Sequence, residues 1–193
     1  MEKSIQIIYI NGPSSSGKTT LAQALQQEFD VPFLHIGIDR VIGMMPYKLN
    51  NWEGGPAPLG FSWKPSVDET GIPVHEIQTG PFGKKVVETL KEIVLTMVRM
   101  GHHVIVDDVS FGKCEVDEWR EALKDCQVLW VGIKASLNIL EAREKERDNR
   151  MHGSARAQYF KVHKDVVYDL EFDTSREPLE TIVNTIRKRY VSN

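Results

Sequence analysis

Ile5-Gln6-Ile7-Ile8-Tyr9-Ile10-Asn11-Gly12-Pro13-Ser14-Ser15-Ser16-Gly17-Lys18-Thr19-Thr20-Leu21 joins an apolar run to a helix-forming one through a turn bounded by glycines. Gly12 to Thr19 fits G-x-x-x-x-G-K-[ST], the phosphate-binding loop of nucleoside-triphosphate enzymes. Glycines let the backbone curl so that successive N–H groups point inward at phosphates, and the following helix turns its positive N-terminus to the same anion. In that reading Gly12, Pro13, Ser14, Ser15, Ser16, Gly17, Lys18, Thr19 and Thr20 bind ATP. Lys18 reaches the β and γ phosphates and Thr19 places its hydroxyl on Mg²⁺. A plain Gly/Ser turn is the competing reading. The strand before the motif and the amphipathic helix after it favour the nucleotide.

Working outward, Val/Ile-rich runs alternate with helix-period segments to the end of the chain. Strands are expected at Ser4 to Asn11, Phe33 to Asp39, His102 to Asp107, Gln127 to Lys134 and Leu170 to Thr174. Helices are expected at Lys18 to Phe29, Lys84 to Met100, Glu115 to Lys124, Leu137 to Asn149 and Pro178 to Tyr190. This alternation predicts an α/β, three-layer fold of the P-loop NTPase kind: a mostly parallel five-stranded sheet with helices on both faces. The 193 residues make one domain, with a core of adequate size.

One stretch breaks the rhythm. Pro46 to Gly83 holds six prolines, the pair Gly54-Gly55 and the aromatic residues Trp52, Phe61 and Trp63. Proline at that density excludes a regular helix and points to a long functional loop, which the tryptophans mark as ordered. Residues of about 44–83 are expected to form an acceptor-binding insertion, with Trp52 and Trp63 as substrate-binding walls. Asp68 to Gly71 matches D-x-x-G, but no N-K-x-D accompanies it, so a GTP switch is excluded and the match reads as coincidence.

Carboxylates and arginines complete the expected site. Asp107 and Asp108 close the strand Val104 to Val106, where a second oxygen ligand for Mg²⁺ belongs. Spacing does not choose between them; Asp107 is the one expected at the metal. Asp39 ends the second strand on the same sheet edge and serves there either as a base toward an attacking hydroxyl or as a helix cap. Arg143, Arg147 and Arg150 stand at i, i+4 and i+7, on one face of the expected helix. They read as a phosphate clamp on a lid of about 143–158, with a solvated charged face as the alternative.

Lys+Arg number 24 against Asp+Glu 27, a net charge of −3, which argues against nucleic acid as a partner. No apolar run approaches the ~20 residues of a membrane span. Cys114 and Cys126 form no disulfide framework or metal pair, and His102-His103 lacks a third ligand. A cytoplasmic, soluble protein is expected, with homo-oligomerisation left open.

These residues resemble a family, the chloramphenicol 3-O-phosphotransferases, P-loop kinases related in fold to shikimate and adenylate kinases. The likeness rests on Ile10-Asn11-Gly12-x-Ser14-Ser15-x-Gly17-Lys18, Gly37-Ile38-Asp39 with Met45-Pro46, Glu53-Gly54-Gly55 and Ile105-Val106-Asp107-Asp108-Val109. It continues through Val128-Leu129-Trp130-Val131-Gly132, Arg147-Asp148-x-Arg150, Val162-His163, Tyr168-Asp169 and Asp173-Thr174. The resemblance implies ATP-dependent transfer of a phosphoryl group to a small-molecule hydroxyl, with Asp39, Lys18 and Arg147 catalytic, Arg143 and Arg150 on the nucleotide, and a link to antibiotic resistance. Pro56 to Val74 departs from the family pattern, so the resemblance implies the reaction more firmly than a chloramphenicol-like acceptor. A nucleotide-binding regulator with little turnover is the alternative of a different class.

Overall fold

The computed structural model describes residues 5–56, 59–147 and 151–191. Five strands form one all-parallel sheet: β1 (Ile7–Asn11), β2 (Phe33–Gly37), β5 (His103–Asp108), β6 (Val128–Lys134) and β7 (Leu170–Asp173). Their order is β2-β5-β1-β6-β7. The chain leaves β1 toward one side of the sheet and later returns to its other side, so the turn after β1 sits where the winding reverses. Ligands collect outside the strand ends at such a point.

The helices cover both faces because strand side chains alternate. Ile8 and Ile10 of β1 pack with Ile105, Leu129 and Ile133 beneath α1 (Lys18–Glu28) and α7 (Leu179–Val191). Ile7 and Tyr9 point the other way, into a core with Val86, Leu90 and Val94 of α3 (Pro81–Arg99) and Trp119 of α4 (Gly112–Ala122). Residues buried on both faces of a sheet give near-continuous apolar runs, which is how these strands read in sequence. Among the described residues, no helix is long and apolar enough to cross a membrane.

Three expectations need correction. The second strand stops at Gly37, and Asp39 lies instead in the first turn of a short helix, α2 (Ile38–Ile42), capped by Gly37. A Cβ at Gly37 would stand 2.7 Å from the Asp107 carbonyl oxygen, so glycine lets this turn press against β5. Secondly, the proline-rich stretch is not simply a loop. After a single 3₁₀ turn at Tyr47–Leu49 it builds an antiparallel hairpin, β3 (Phe61–Val67) and β4 (Pro73–Thr79), standing apart from the main sheet. Both strands of a two-stranded ribbon are edges, where proline's missing N–H is tolerated; Pro65 and Pro73 exploit this. The hairpin is closed at its foot, since Gly80 N–H donates to Gly60 O at 2.7 Å and Phe82 N–H to Leu59 O at 2.9 Å.

The third correction concerns the arginine row. Helix α5 spans Leu137–Lys145 and ends before Arg147, so Arg143 and Arg147 do not stand on one helix; Arg150 lies outside the described residues. The cause is tertiary. Glu144, 2% exposed, accepts the N–H groups of Gly153 and Ala155 and the Ser154 hydroxyl, all at 2.7 Å, and so caps α6 (Ser154–Tyr159). That carboxylate ties the last turn of α5 to the first turn of α6.

Candidate active site

The phosphate loop owes its shape to two glycines. At Gly12 a Cβ would meet the Ile133 carbonyl oxygen at 2.4 Å, and Gly17 holds φ at +97°, a left-handed value at the start of α1. The Lys18 ammonium, 7% exposed as a residue, donates to Pro13 O at 3.0 Å. The hydroxyls of Ser14, Ser15 and Ser16 are buried and have no hydrogen-bond partner among the described residues. Buried polar groups ordinarily find partners, so these mark the loop interior as a place for a polar ligand.

Adjacent strand residues face opposite sides, and this separates Asp107 from Asp108. Asp107 accepts from the Thr19 hydroxyl at 2.5 Å and lies 3.5 Å from His35 Nε2. Burial alone would push its carboxyl up, but His35, the Lys18 charge and the Thr19 hydroxyl hold it below the ordinary range, so it stays ionised. Asp108 turns to the other face, where it accepts from Trp119 Nε1 (2.8 Å), the Ser110 hydroxyl (2.9 Å) and the Tyr9 hydroxyl (3.2 Å). Its role there is to pin β5 to α4. Among the described residues no group of three His, Cys, Asp or Glu side chains could cage a metal. One ionised carboxylate beside one threonine hydroxyl suits Mg²⁺, which keeps several waters and binds through one or two protein oxygens plus phosphates.

A cleft of about 1720 Å³ runs from the phosphate loop to the hairpin. Lys18, Thr19, Asp39 and Asp107 line it together with Trp52, Phe61 and Trp63. The Trp52 and Phe61 rings lie nearly parallel with centroids 6.2 Å apart, and Trp63 is tilted 56° to Trp52 at the same separation. Asp39 is exposed on the first turn of α2. Arg147, exposed just past α5, also lines the cleft. Arg143 does not enter it. Its guanidinium donates to Ser15 O (3.3 Å), the Thr174 hydroxyl (3.1 Å) and Thr174 O (3.2 Å), bracing the phosphate loop from behind. Thr20 follows the loop on the exposed side of α1.

Several contributors to the site went unread in the sequence. His35 could have been found from its place two residues before Gly37, on the edge that carries Asp39. Lys91, with a side chain 6% exposed, joins α3 to α4 along the cleft through Glu88 (2.9 Å) and Glu118 (3.2 Å). Burial pushes its ammonium down, and these two carboxylates more than restore it, to above its ordinary value. Gln158 of α6, which contacts the Ser14 amide, carries no local signal at all. Below the loop, Asn11 donates to the Tyr168 hydroxyl at 2.9 Å, which lies 3.0 Å from His163 Nδ1, and His163 Nε2 is 3.1 Å from Ile133 O.

The same architecture occurs in known kinases. The structure of the Mycobacterium tuberculosis APS kinase CysC in complex with AMPPNP and APS is similar with a TM-score of 0.65 at 12% identity, over 100% of both chains. That of a sugar kinase from Janibacter sp. HTCC2649 is similar with a TM-score of 0.64 at 17% identity, over 95% of this chain and 93% of the other. At such identities the likeness establishes the P-loop kinase fold. In sequence, the Mycobacterium tuberculosis protein named "Putative O-phosphotransferase Rv2636" is 28% identical over 186 residues, which span 96% of this chain and 82% of that protein. Residues 5–191 match the family described as chloramphenicol phosphotransferase-like protein.

Proposed function

The chain belongs to the chloramphenicol phosphotransferase-like family and is a P-loop small-molecule kinase, and from that premise we propose that it moves the γ-phosphoryl group of ATP to a hydroxyl of a small molecule held against the β3–β4 hairpin. The observation that carries this reading is a cleft lined both by Lys18, Thr19, Asp107 and Asp39 and by the aromatic residues Trp52, Phe61 and Trp63.

In the proposed reaction the acceptor oxygen forms a bond to the γ phosphorus as the bond from that phosphorus to the β,γ-bridging oxygen breaks, and ADP leaves. Asp39 orients the acceptor hydroxyl and takes its proton. Phosphoryl transfer is largely a matter of positioning and of stabilising charge on the moving group. Lys18 leaves Pro13 O for the β and γ phosphates, a short swing within the loop. Thr19 and Asp107 are the oxygen ligands on hand for Mg²⁺, which when bound offsets the phosphate charge. Arg147 approaches from the α5–α6 segment, which acts as a lid, and Arg143 keeps the loop in shape. Trp52, Phe61 and Trp63 supply an apolar wall, and the few polar groups around them orient the acceptor. The acceptor is an alcohol with an apolar body; chloramphenicol is the first to test.

Acceptor-dependent release of ADP from ATP across a panel of hydroxylated small molecules tests the reading, with ³¹P NMR to identify a phosphate monoester. ADP formed only with an acceptor present supports it. Tight nucleotide binding with no turnover for any acceptor would replace it with the nucleotide-binding regulator.

A further inference from the structure

On the cleft side, the proposed lid meets the phosphate loop at α6. Gln158, on α6 and 8% exposed, accepts a hydrogen bond from the Ser14 amide at 2.6 Å. Because the backbone N–H can only donate, the oxygen of the carboxamide must be the atom that faces it. Ser14 is the third residue of the loop, and both residues line the cleft. Inward N–H groups of such a loop bind phosphate oxygens, so the Gln158 oxygen stands where an anionic oxygen belongs. Helix α6 does not depend on this contact for its place. Glu144 already caps it, and Arg156 ties it to Asp68 and Glu141 at 2.6 and 2.9 Å.

We propose that Gln158 is a further nucleotide-binding residue, the lid's own contact to the phosphate chain. When a triphosphate enters, a phosphate oxygen takes the Ser14 N–H, and the Gln158 carboxamide, one hydrogen-bond length away, turns its Nε2–H donors onto that oxygen. One N–H···O bond is broken and two are made; no proton changes owner. A carboxamide is suited to both states because it carries an acceptor and two donors on one group. A carboxylate could accept from Ser14 but would oppose the phosphate. An ammonium could bind the phosphate but could not accept from Ser14. The inference rests on the kinase reading, in that a phosphate chain must occupy the loop.

Calorimetric titration with a non-hydrolysable ATP analogue and Mg²⁺ tests it in four chains: wild type, Gln158→Ala, Gln158→Glu and Lys18→Ala, each with its melting temperature measured without ligand. Loss of a hydrogen bond to a charged group predicts about tenfold weaker binding for Gln158→Ala. Gln158→Glu should bind more weakly still, while its melting temperature stays at or above that of wild type, because a carboxylate accepts from Ser14 at least as well. Binding by Gln158→Ala as tight as wild type, or tighter, would overturn the proposal and leave Gln158 as a plug of the empty loop. Should Gln158→Ala fail to fold, the near-isosteric Gln158→Glu decides by the same comparison: wild-type affinity overturns, weaker affinity supports. Lys18→Ala separates the two levels of argument. If Lys18→Ala loses binding while both Gln158 variants keep it, the Gln158 inference alone fails; if Lys18→Ala binds as wild type, the kinase reading fails with it.

Discussion

Arg156 Nε donates to Asp68 Oδ2 at 2.6 Å, tying α6 to the tip of the hairpin that carries Phe61 and Trp63. Asp68 is held ready for it by the turn, since its other oxygen accepts from the Thr70 N–H (2.8 Å), the Thr70 hydroxyl (2.7 Å) and the Ile72 N–H (2.9 Å). Burial works against that carboxyl's charge, but these donors together with Arg156 hold it well below the ordinary carboxylate range. Two further links run alongside: Lys161 to Glu76 at 2.8 Å, and His75 Nδ1 to the His152 carbonyl oxygen at 2.9 Å. Asp68→Asn and Arg156→Met are each expected to lower the melting temperature and raise the Michaelis constant for the acceptor. The double variant should lose less than the sum of the two single losses, because the Arg156–Asp68 pair is counted in both. Fully additive losses would show that the pair is not coupled.

Asp39→Asn should lower acceptor-dependent turnover by about 10²–10⁴-fold, the range for loss of a positioned base. MgATP affinity, measured by titration, should be nearly preserved, because in the proposed reaction Asp39 acts on the acceptor hydroxyl and not on the nucleotide. A near-wild-type rate would reduce Asp39 to a first-turn residue of α2.

Arg147→Ala should act on the transition state, where charge gathers on the moving phosphoryl group. A fall in kcat of about 10²–10³-fold, with a smaller change in the Michaelis constant for ATP, is the expected kinetic pattern. Its exposed position predicts an unchanged melting temperature. A raised Michaelis constant with kcat intact would make it a ground-state nucleotide contact.

The two tryptophans should separate by burial. Trp52 is half-buried, whereas Trp63 is 8% exposed. Trp52→Ala is expected to raise the acceptor Michaelis constant with little effect on denaturation. Trp63→Ala should do the same and also destabilise by about 3–5 kcal/mol, the range for emptying a buried aromatic site. Unchanged acceptor kinetics in both variants, with only a lowered melting temperature, would assign the pair to packing.

Burial pushes the His163 imidazole down to about 4, from an ordinary value of 6.5. The unfolded chain therefore takes up a proton between pH 6.5 and 4 that the folded chain does not, so stability is full above pH 6.5 and falls as pH drops through that window. The neutral ring donates from Nε2 to Ile133 O and accepts from Tyr168 at Nδ1, an arrangement that a second ring proton would break. Urea midpoints at pH 7, 5.5 and 4.5 should fall for wild type more steeply than for His163→Gln, which cannot ionise. Parallel slopes would remove His163 as the cause.

The parallel sheet and its loop were legible because their signals are local. Ile7 to Asn11 and Val104 to Val106 are buried on both faces and read as apolar runs, and the Gly12 to Thr19 spacing follows from how a backbone curls around phosphate. What sequence could not supply was set by partners far along the chain. Asp107 and Asp108 are neighbours of like chemistry, and only the pleat sends one to Thr19 and the other to Trp119. Helix α5 stops at Lys145, where Glu144 caps α6, although Glu146 and Arg147, which follow, are good helix formers. The hairpin was hidden by its prolines, which ordinarily argue against strands.

The closed foot of that hairpin has a consequence for how this protein can change. With Gly60 and Gly80 bonded to each other, the residues between them leave and rejoin the domain at one place, and none of them belongs to the five-stranded sheet. The ribbon is thus an exchangeable cassette, one that can lengthen, shorten or be swapped without shifting the register of any strand that carries the phosphate loop. A replacement has to keep a carboxylate at the turn for Arg156, because that residue stays behind on α6. If the proposed function holds, acceptor preference can then drift by substitution within a peripheral segment, while the phosphate loop is left untouched.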